Sequence, residues 1–234
     1  MKPNDITELQ KDIDQAKHIT FLTGAGVSTH SGIPDYRSKN GIYNGIKESP
    51  ETILSEATLF HRPELFYNFV MENMYFPSAQ PNLIHKKITQ LCSQKGDLIT
   101  QNIDGLDTKA GNTHVTEFHG NLYNIYCTKC HQQVSYSEYA NDYLHKNCGG
   151  IIRPGIVLYG EAINPEVLNV SISNMQKSDL IIISGTSFVV YPFAQLLAYK
   201  KGSAKIYSIN KTAIPAPQVT QIIGDALDVF KRLN

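Results

Sequence analysis

A β-branched and aromatic run that ends in glycine, Ile19-Thr20-Phe21-Leu22 with Gly24-Ala25-Gly26 just beyond it, limits this chain to few architectures. Such a run is how a central parallel strand of an α/β sheet brings its backbone to a phosphate, because glycines let the main chain approach an anion at the following turn. The pattern departs from the hydride-transfer fingerprint G-x-G-x-x-G. Thr29 stands where the third glycine belongs, and no acidic residue closes a strand about 20 residues further on. A standard dehydrogenase is therefore disfavoured. The loop instead continues through Ser28, Ser31 and Gly32 to Pro34-Asp35-Tyr36-Arg37, a polar segment able to fold over a bound dinucleotide and set Arg37 against its charge. Taken alone, Gly-Ala-Gly would be an ordinary strand and turn.

The rest of the chain supplies the parts of a doubly wound sheet. Residues 97–100 read as a strand with Gln101-Asn102-Ile103-Asp104-Gly105 at its carboxyl end, where open α/β sheets bind ligands, although Asn, Asp and Gly also favour plain turns. Residues 113–118 read as a short strand ending in His119, an imidazole at the same edge that can serve as a general base near neutral pH. Further strands are expected at 156–159, 180–183, 205–210 and near Ile222. Gly185-Thr186-Ser187 ends the second of these and suits phosphate or ribose oxygens, Asn210 ends the third where a ribose hydroxyl would sit, and Gly224-Asp225-Ala226 leads into a last helix. Two helices opening on Pro50 and Pro63, with apolar faces at Ile53, Leu54 and Ala57 and at Phe66, Phe69 and Val70, read as an insertion above the sheet. Cys92 shares a stripe with Ile84, Ile88 and Leu91 and reads as a core thiol.

The other three cysteines are grouped. Cys127-Thr128-Lys129-Cys130 is followed after 14 residues by His145-Lys146-Asn147-Cys148, and two ligand pairs at this spacing make a closed, tetrahedral structural zinc site. His131 competes with His145 as the fourth ligand. A redox C-x-x-C pair would need its cysteine at a helix start after a strand, whereas glycines and a polar linker surround this one. Lys+Arg and Asp+Glu number 21 each, so the formal net charge is zero and a nucleic-acid binder working by phosphate neutralisation is excluded. The polar opening MKPNDITELQ and the lack of any long apolar run point to a cytoplasmic protein with no membrane contact. No heptads or broad apolar stripe reveal an oligomeric state.

In order, GAGVSTHSGIPDYR, TQNIDGL, EFHGN, the cysteine ribbon, IRPGIVLYGE, GTS and Ile209-Asn210 resemble the sirtuin family of NAD-dependent protein lysine deacylases over nearly the whole chain. The resemblance departs at Tyr36, usually Phe, at Asp107, usually His, and at His145 in place of a third zinc cysteine. It implies a doubly wound, Rossmann-like α/β domain made of 1–40, 78–122 and 155–234, with a small lobe made of a helical insertion, 41–77, and a zinc module, 123–154. It implies that Gly24, Ala25, Gly26, Thr29, Asp35, Tyr36, Arg37, Gly185, Thr186, Ser187, Asn210, Asp225 and Ala226 hold NAD, while Gln101, Asn102, Ile103 and Asp104 pocket its nicotinamide. His119 would be the general base, with Asn102 beside the reacting centre. An acetylated peptide would lie along Val157, Leu158, Tyr159, Gly160, Glu161 and Val189, and one zinc would sit on Cys127, Cys130, His145 and Cys148. The implied reaction moves an acetyl group from lysine to ADP-ribose and releases nicotinamide. Tyr67 and Val70, three residues apart on a helix, would face the acyl group, and the lack of an arginine at Val70 favours short neutral acyl chains. A protein mono-ADP-ribosyltransferase and a non-enzymatic NAD-sensing scaffold on the same fold remain the competing readings.

Overall fold

The computed structural model describes residues 3–35, 42 and 48–234. Helix α1 (Pro3–Gln15) leads to strand β1 (Ile19–Thr23). Helices α2 (Pro50–Ile53), α3 (Glu56–His61) and α4 (Pro63–Asn73) precede α5 (Leu83–Lys95) and β2 (Gly96–Thr100). After α6 (Leu106–Lys109) and β3 (Val115–Glu117) come β4 (Gly120–Cys127), β5 (Gln133–Val134), α7 (Tyr136–Tyr139) and β6 (Ile152–Ile156). The chain closes with α8 (Pro165–Lys177), β7 (Leu180–Ser184), β8 (Lys205–Asn210), β9 (Thr220–Ile223) and α9 (Ala226–Phe230).

Six strands form one parallel sheet in the order β3-β2-β1-β7-β8-β9. Strand order reverses between β1 and β7, the place where such sheets bind ligands. Both strands are buried from end to end, and their side chains alternate between two cores. Ile19, Phe21, Leu180 and Ile182 face a layer with α1, α5 and α9, while Leu22, Ile181 and Ile183 face one with α8 and the 3-10 helix Phe193–Tyr199. Each such buried side chain contributes about 1.5–3 kcal/mol.

A second, antiparallel sheet has the order β5-β4-β6 and shares a core with the helical insertion. Phe66, Phe69 and Val70 of α4 pack there with Ile125, Tyr139 and Ile152. Two expectations change here. The insertion holds three helices, because the Ser55 hydroxyl accepts the Thr58 N–H and starts a new helix directly after Leu54. The strand expected at 156–159 in the parallel sheet is instead Ile152–Ile156 in the antiparallel one, and Val157 to Tyr159 leave the ladder to bond His119 and Leu54.

Candidate active site

The turns that leave β1 and β7 touch because neither carries a side chain. Gly26 donates its N–H to the Gly185 carbonyl at 2.8 Å, and a Cβ on Gly26 would lie 2.8 Å from Gly185 Cα. Gly185 has φ +65° and would drive a Cβ to 2.5 Å from the Val27 nitrogen. A cleft of about 970 Å³ opens at these turns. Gly24, Ala25, Gly26, Thr29 and Asp35 border it from the first loop, Gln101, Asn102 and Ile103 from the end of β2. Gly185, Thr186 and Ser187 follow β7, Asn210 ends β8, and Asp225 and Ala226 open α9, all on the same cleft. Tyr36 and Arg37 lie outside the described residues.

Gln101 Nε2 donates to Thr186 Oγ1 at 2.9 Å, and the Thr186 N–H donates to Asn210 Oδ1 at 2.9 Å. The other end of the Asn210 amide, Nδ2, is a buried donor without a protein partner. Such a group costs about 1–3 kcal/mol unless something accepts its proton, which fits a hydroxyl-bearing ligand such as the ribose of a dinucleotide. Asp225 caps α9 through the Leu227 N–H at 2.9 Å and accepts from His30 Nε2 at 2.8 Å, joining the first loop to the last helix. Burial opposes ionisation of Asp225, but His30, the Leu227 N–H and Lys211 together outweigh it and hold the carboxyl below the usual range.

Beneath the cleft lies a connected polar wall. Asn102, 5% exposed, donates from Nδ2 to the Gly24 carbonyl and to Ser28 Oγ, both at 3.2 Å. Ser28 donates to Asp104 Oδ2 at 2.7 Å, and the second Asp104 oxygen accepts the Leu106 N–H at 2.9 Å. His85 Nδ1 accepts the Asn82 N–H at the start of α5, so its proton sits on Nε2, 3.4 Å from Ser28 Oγ. Asp104 therefore does not border the main cleft. It lines a small adjoining cavity with Ser28, Asn102 and Ile103. Asp107, where the resemblance leads one to expect histidine, is buried, and burial together with Asp104 and Glu117 pushes its carboxyl up to about 8.

His119 sits where the chain leaves β3 for the antiparallel sheet. Gly120, at φ +79°, makes that crossing, and a Cβ there would lie 2.1 Å from the Gly155 carbonyl oxygen. The His119 ring packs on Phe118 and Phe193, with centroids 5.3 and 6.4 Å away. Its Nδ1 lies 3.3 Å from the Gln101 carbonyl. A carbonyl only accepts, so the proton is on Nδ1 and Nε2 carries the lone pair. Burial lowers the His119 pKa, more than the Gln101 carbonyl raises it, and keeps the ring neutral at neutral pH.

Val157 to Glu161 form one lip of the cleft. The Val157 N–H donates to the His119 carbonyl at 2.9 Å, so lip and imidazole are tied together. Val189 is 49% exposed and does not border the cleft, whereas Val190, Tyr191 and Pro192 do. Phe188, at φ +57°, breaks the extended course of this segment, and Val190 is the half-buried valine of the pair. The apolar end of the cleft is built by Leu54, Met74, Ile103, Ile156 and Leu158. Tyr67 and Val70 are not part of it: Val70 is fully buried in the small-lobe core, and the Tyr67 hydroxyl donates to the Ala140 carbonyl at 3.0 Å. Leu54, Met74, Ser28 and His85 were not identified as site residues from the sequence, since each reads there as a helix face or part of a loop.

Away from the cleft, one ligand atom from each of Cys127, Cys130, His145 and Cys148 lies within 4.8 Å of the others. His145 Nδ1 is 3.3 Å from Cys130 Sγ and 3.2 Å from Cys148 Sγ, and His131 is not in the group. Three thiols and an imidazole at tetrahedral-edge distances fit zinc.

Comparison with known proteins bears on the cleft. The Sir2 family model matches residues 24–192. The chain is 49% identical over 230 residues to a Listeria innocua protein named NAD-dependent protein deacetylase, covering 97% of this chain and 100% of that one. A solved Sir2 with a deacetylated p53 peptide and 3′-O-acetyl ADP-ribose superposes with TM-score 0.89 at 31% identity, over 97% of this chain and 96% of that one. A Sir2 homologue in complex with NAD superposes with TM-score 0.84 at 33% identity, over 96% and 90%.

Proposed function

The chain belongs to the Sir2 family, and from that premise we propose that its own residues carry out NAD-dependent removal of acetyl groups from protein lysine side chains. It is an enzyme, an NAD-dependent protein deacetylase that yields nicotinamide and O-acetyl-ADP-ribose. NAD supplies an anomeric carbon as the electrophile and a ribose hydroxyl as the acceptor of the acetyl group. Gly24 to Thr29 and Gly185 to Ser187 offer backbone and hydroxyl groups to the diphosphate and ribose, and the Asn210 Nδ2 donor gains an acceptor. Asn102, held by Gly24 and Ser28, orients the polar wall on which nicotinamide departs. His119 takes a proton at Nε2, with Nδ1 anchored on Gln101. Val157 to Gly160 present the peptide, and Leu54, Met74 and Leu158 enclose the acyl chain and exclude water.

The single observation that carries this reading is a neutral, oriented imidazole on the cleft whose far wall is the double-glycine turn. The two-lobe division at 1–40, 78–122 and 155–234 against 41–77 and 123–154 belongs to the proposal, supported by the shared core of α2–α4 and β4–β6. Cys127, Cys130, His145 and Cys148 would hold one zinc that ties the small lobe together, remote from the chemistry. All four cysteines are free, three of them in that ligand cluster, and we therefore place the protein in a reducing compartment, the cytoplasm. The test is nicotinamide release by the purified protein with and without an acetyl-lysine peptide. Release matched one for one by peptide deacetylation is expected. Release that labels protein with ADP-ribose and spares the acetyl group would overturn the assignment.

A further inference from the structure

Arg153 is a cation buried in the small-lobe sheet, 5% exposed, and the general chemistry of the reaction gives it nothing to do. Its guanidinium spans the base of the cleft's lip. Nη1 donates to Glu161 Oε1 at 2.5 Å and Nη2 to Glu161 Oε2 at 3.0 Å, a fork meeting a carboxylate. Nη2 also donates to the Ile156 carbonyl at 2.6 Å, and Nε to the Pro154 carbonyl at 3.2 Å. Glu161 Oε2 in turn accepts the Leu158 N–H at 2.8 Å. Burial works against both charges, yet the pairing, with the Leu158 N–H on Glu161 and with Tyr126 and Glu56 near Arg153, outweighs it: the Arg153 pKa is raised and the Glu161 pKa lowered.

One side-chain pair thus closes the loop from Ile156 to Glu161 on itself. Main-chain bonds fix its other sides, Val157 N–H to the His119 carbonyl at 2.9 Å and Tyr159 N–H to the Leu54 carbonyl at 2.9 Å. Glu161 borders the cleft but has both oxygens committed to Arg153 and Leu158, so it is not available to read charge on a substrate. We propose that Arg153 is a positioning residue for the peptide substrate: through Glu161 it pre-forms the lip against which the acyl-lysine peptide pairs. This rests on the deacetylase reading above. A loop already in its bound shape spares the peptide the cost of ordering it, so loss of the clamp falls on peptide binding and not on the proton transfer at His119.

The experiment is steady-state kinetics of Arg153→Met, Arg153→Lys and Glu161→Gln against the parent, with acetyl-lysine peptide and NAD varied separately, and zinc content and Tm measured on each. Arg153→Met is expected to raise the peptide KM by about 10-fold or more while kcat and the NAD KM stay within about 3-fold. Arg153→Lys should fall between, because an ammonium keeps the charge and loses the fork. Glu161→Gln keeps an acceptor for Leu158 and nearly the same shape, so it reports on the clamp even if Arg153→Met fails to fold, and a raised peptide KM is expected there too. An unchanged peptide KM in the folded variants, or kcat and Tm falling together with both KM values fixed, would overturn the proposal. Failure of the parent to deacetylate any peptide would instead strike the underlying reading, and the two failures are distinct.

Discussion

Replacing His119 by asparagine removes the lone pair that the cleft presents while leaving a side chain of similar reach. The amide can still donate to the Gln101 carbonyl, now accepting from Nδ1 at 3.3 Å, and Phe118 and Phe193 still flank the site. What is lost is a base of near-neutral pKa, a loss of about 10²–10⁴-fold in kcat/KM, or roughly 3–5.5 kcal/mol of barrier. The pH dependence separates this from a general loss of structure. Burial sets the His119 pKa below the ordinary imidazole value of 6.5, so activity should fall on acidification with a midpoint under 6.5 and be at its plateau by neutral pH. The acid limb should vanish in His119→Asn. Deacetylation rates for both proteins, measured on one acetyl-lysine peptide from pH 5 to 8, decide the matter (~3 pH units of titration range suffice for one imidazole). A variant as fast as the parent, or a slow variant that keeps the same acid limb, would show that another group takes the proton.

Three further outcomes follow from the same geometry. Elemental analysis should find one zinc per chain, and Cys148→Ala should lose it together with protease resistance of the small lobe; a metal-free protein that remains folded and active would refute the site. Burial pushes His85 from 6.5 down to about 4 against the pull of Asp104, so the unfolded chain binds the extra proton first and stability is lost as pH falls through that window. The shift corresponds to about 3 kcal/mol at its limit. His85→Gln, which keeps an acceptor for the Asn82 N–H, should lose less Tm than the parent between neutral pH and the acid end of the window. Acetyl-lysine should be preferred to succinyl-lysine, because Leu54, Met74, Ile103, Ile156 and Leu158 offer a carboxylate no cationic partner, a penalty of several kcal/mol or about 10²-fold and more. Met74→Arg should narrow that ratio, and faster desuccinylation by the parent would reject the placement.

The parallel sheet could be read from the sequence because both of its faces are buried, which leaves unbroken apolar runs such as Leu180 to Ile183 ending in glycine. Residues bordering the cleft at the strand ends could be read as well, since Asn210 and His119 are polar groups placed where apolar strands stop. The small lobe was harder. β6 contains Arg153 and Pro154, which break any alternation, and the run expected to be a strand began where that strand actually ends. The acyl wall was misplaced for a different reason. Tyr67 and Val70 keep the helical spacing of a lining pair, but spacing fixes only which residues share a face, and that face turned inward to Tyr139 and Tyr143. His145 could be separated from His131 only in three dimensions, since both stand near a cysteine in sequence and one alone joins the cluster.

Function converges on the seam between the lobes because the backbone allows few crossings there. Gly120 lets the chain pass from the parallel into the antiparallel sheet with the Gly155 carbonyl too close for any side chain, and His119 is the residue before that crossing. The same small-lobe core that holds α4 and β4 also takes in Ile103, Leu158 and Met74, residues of the cleft wall. A zinc ribbon far from the chemistry can therefore affect it without touching substrate. Zinc bound there would hold Cys127 at the end of β4 and Cys148 shortly before β6, the β4–β6 ladder sets Gly155 and Ile156 against Asn121 and Gly120, and the imidazole follows. Loss of zinc should then reach the active site as misplacement of His119 and the Val157 lip, with the parallel sheet and its glycine turns left standing.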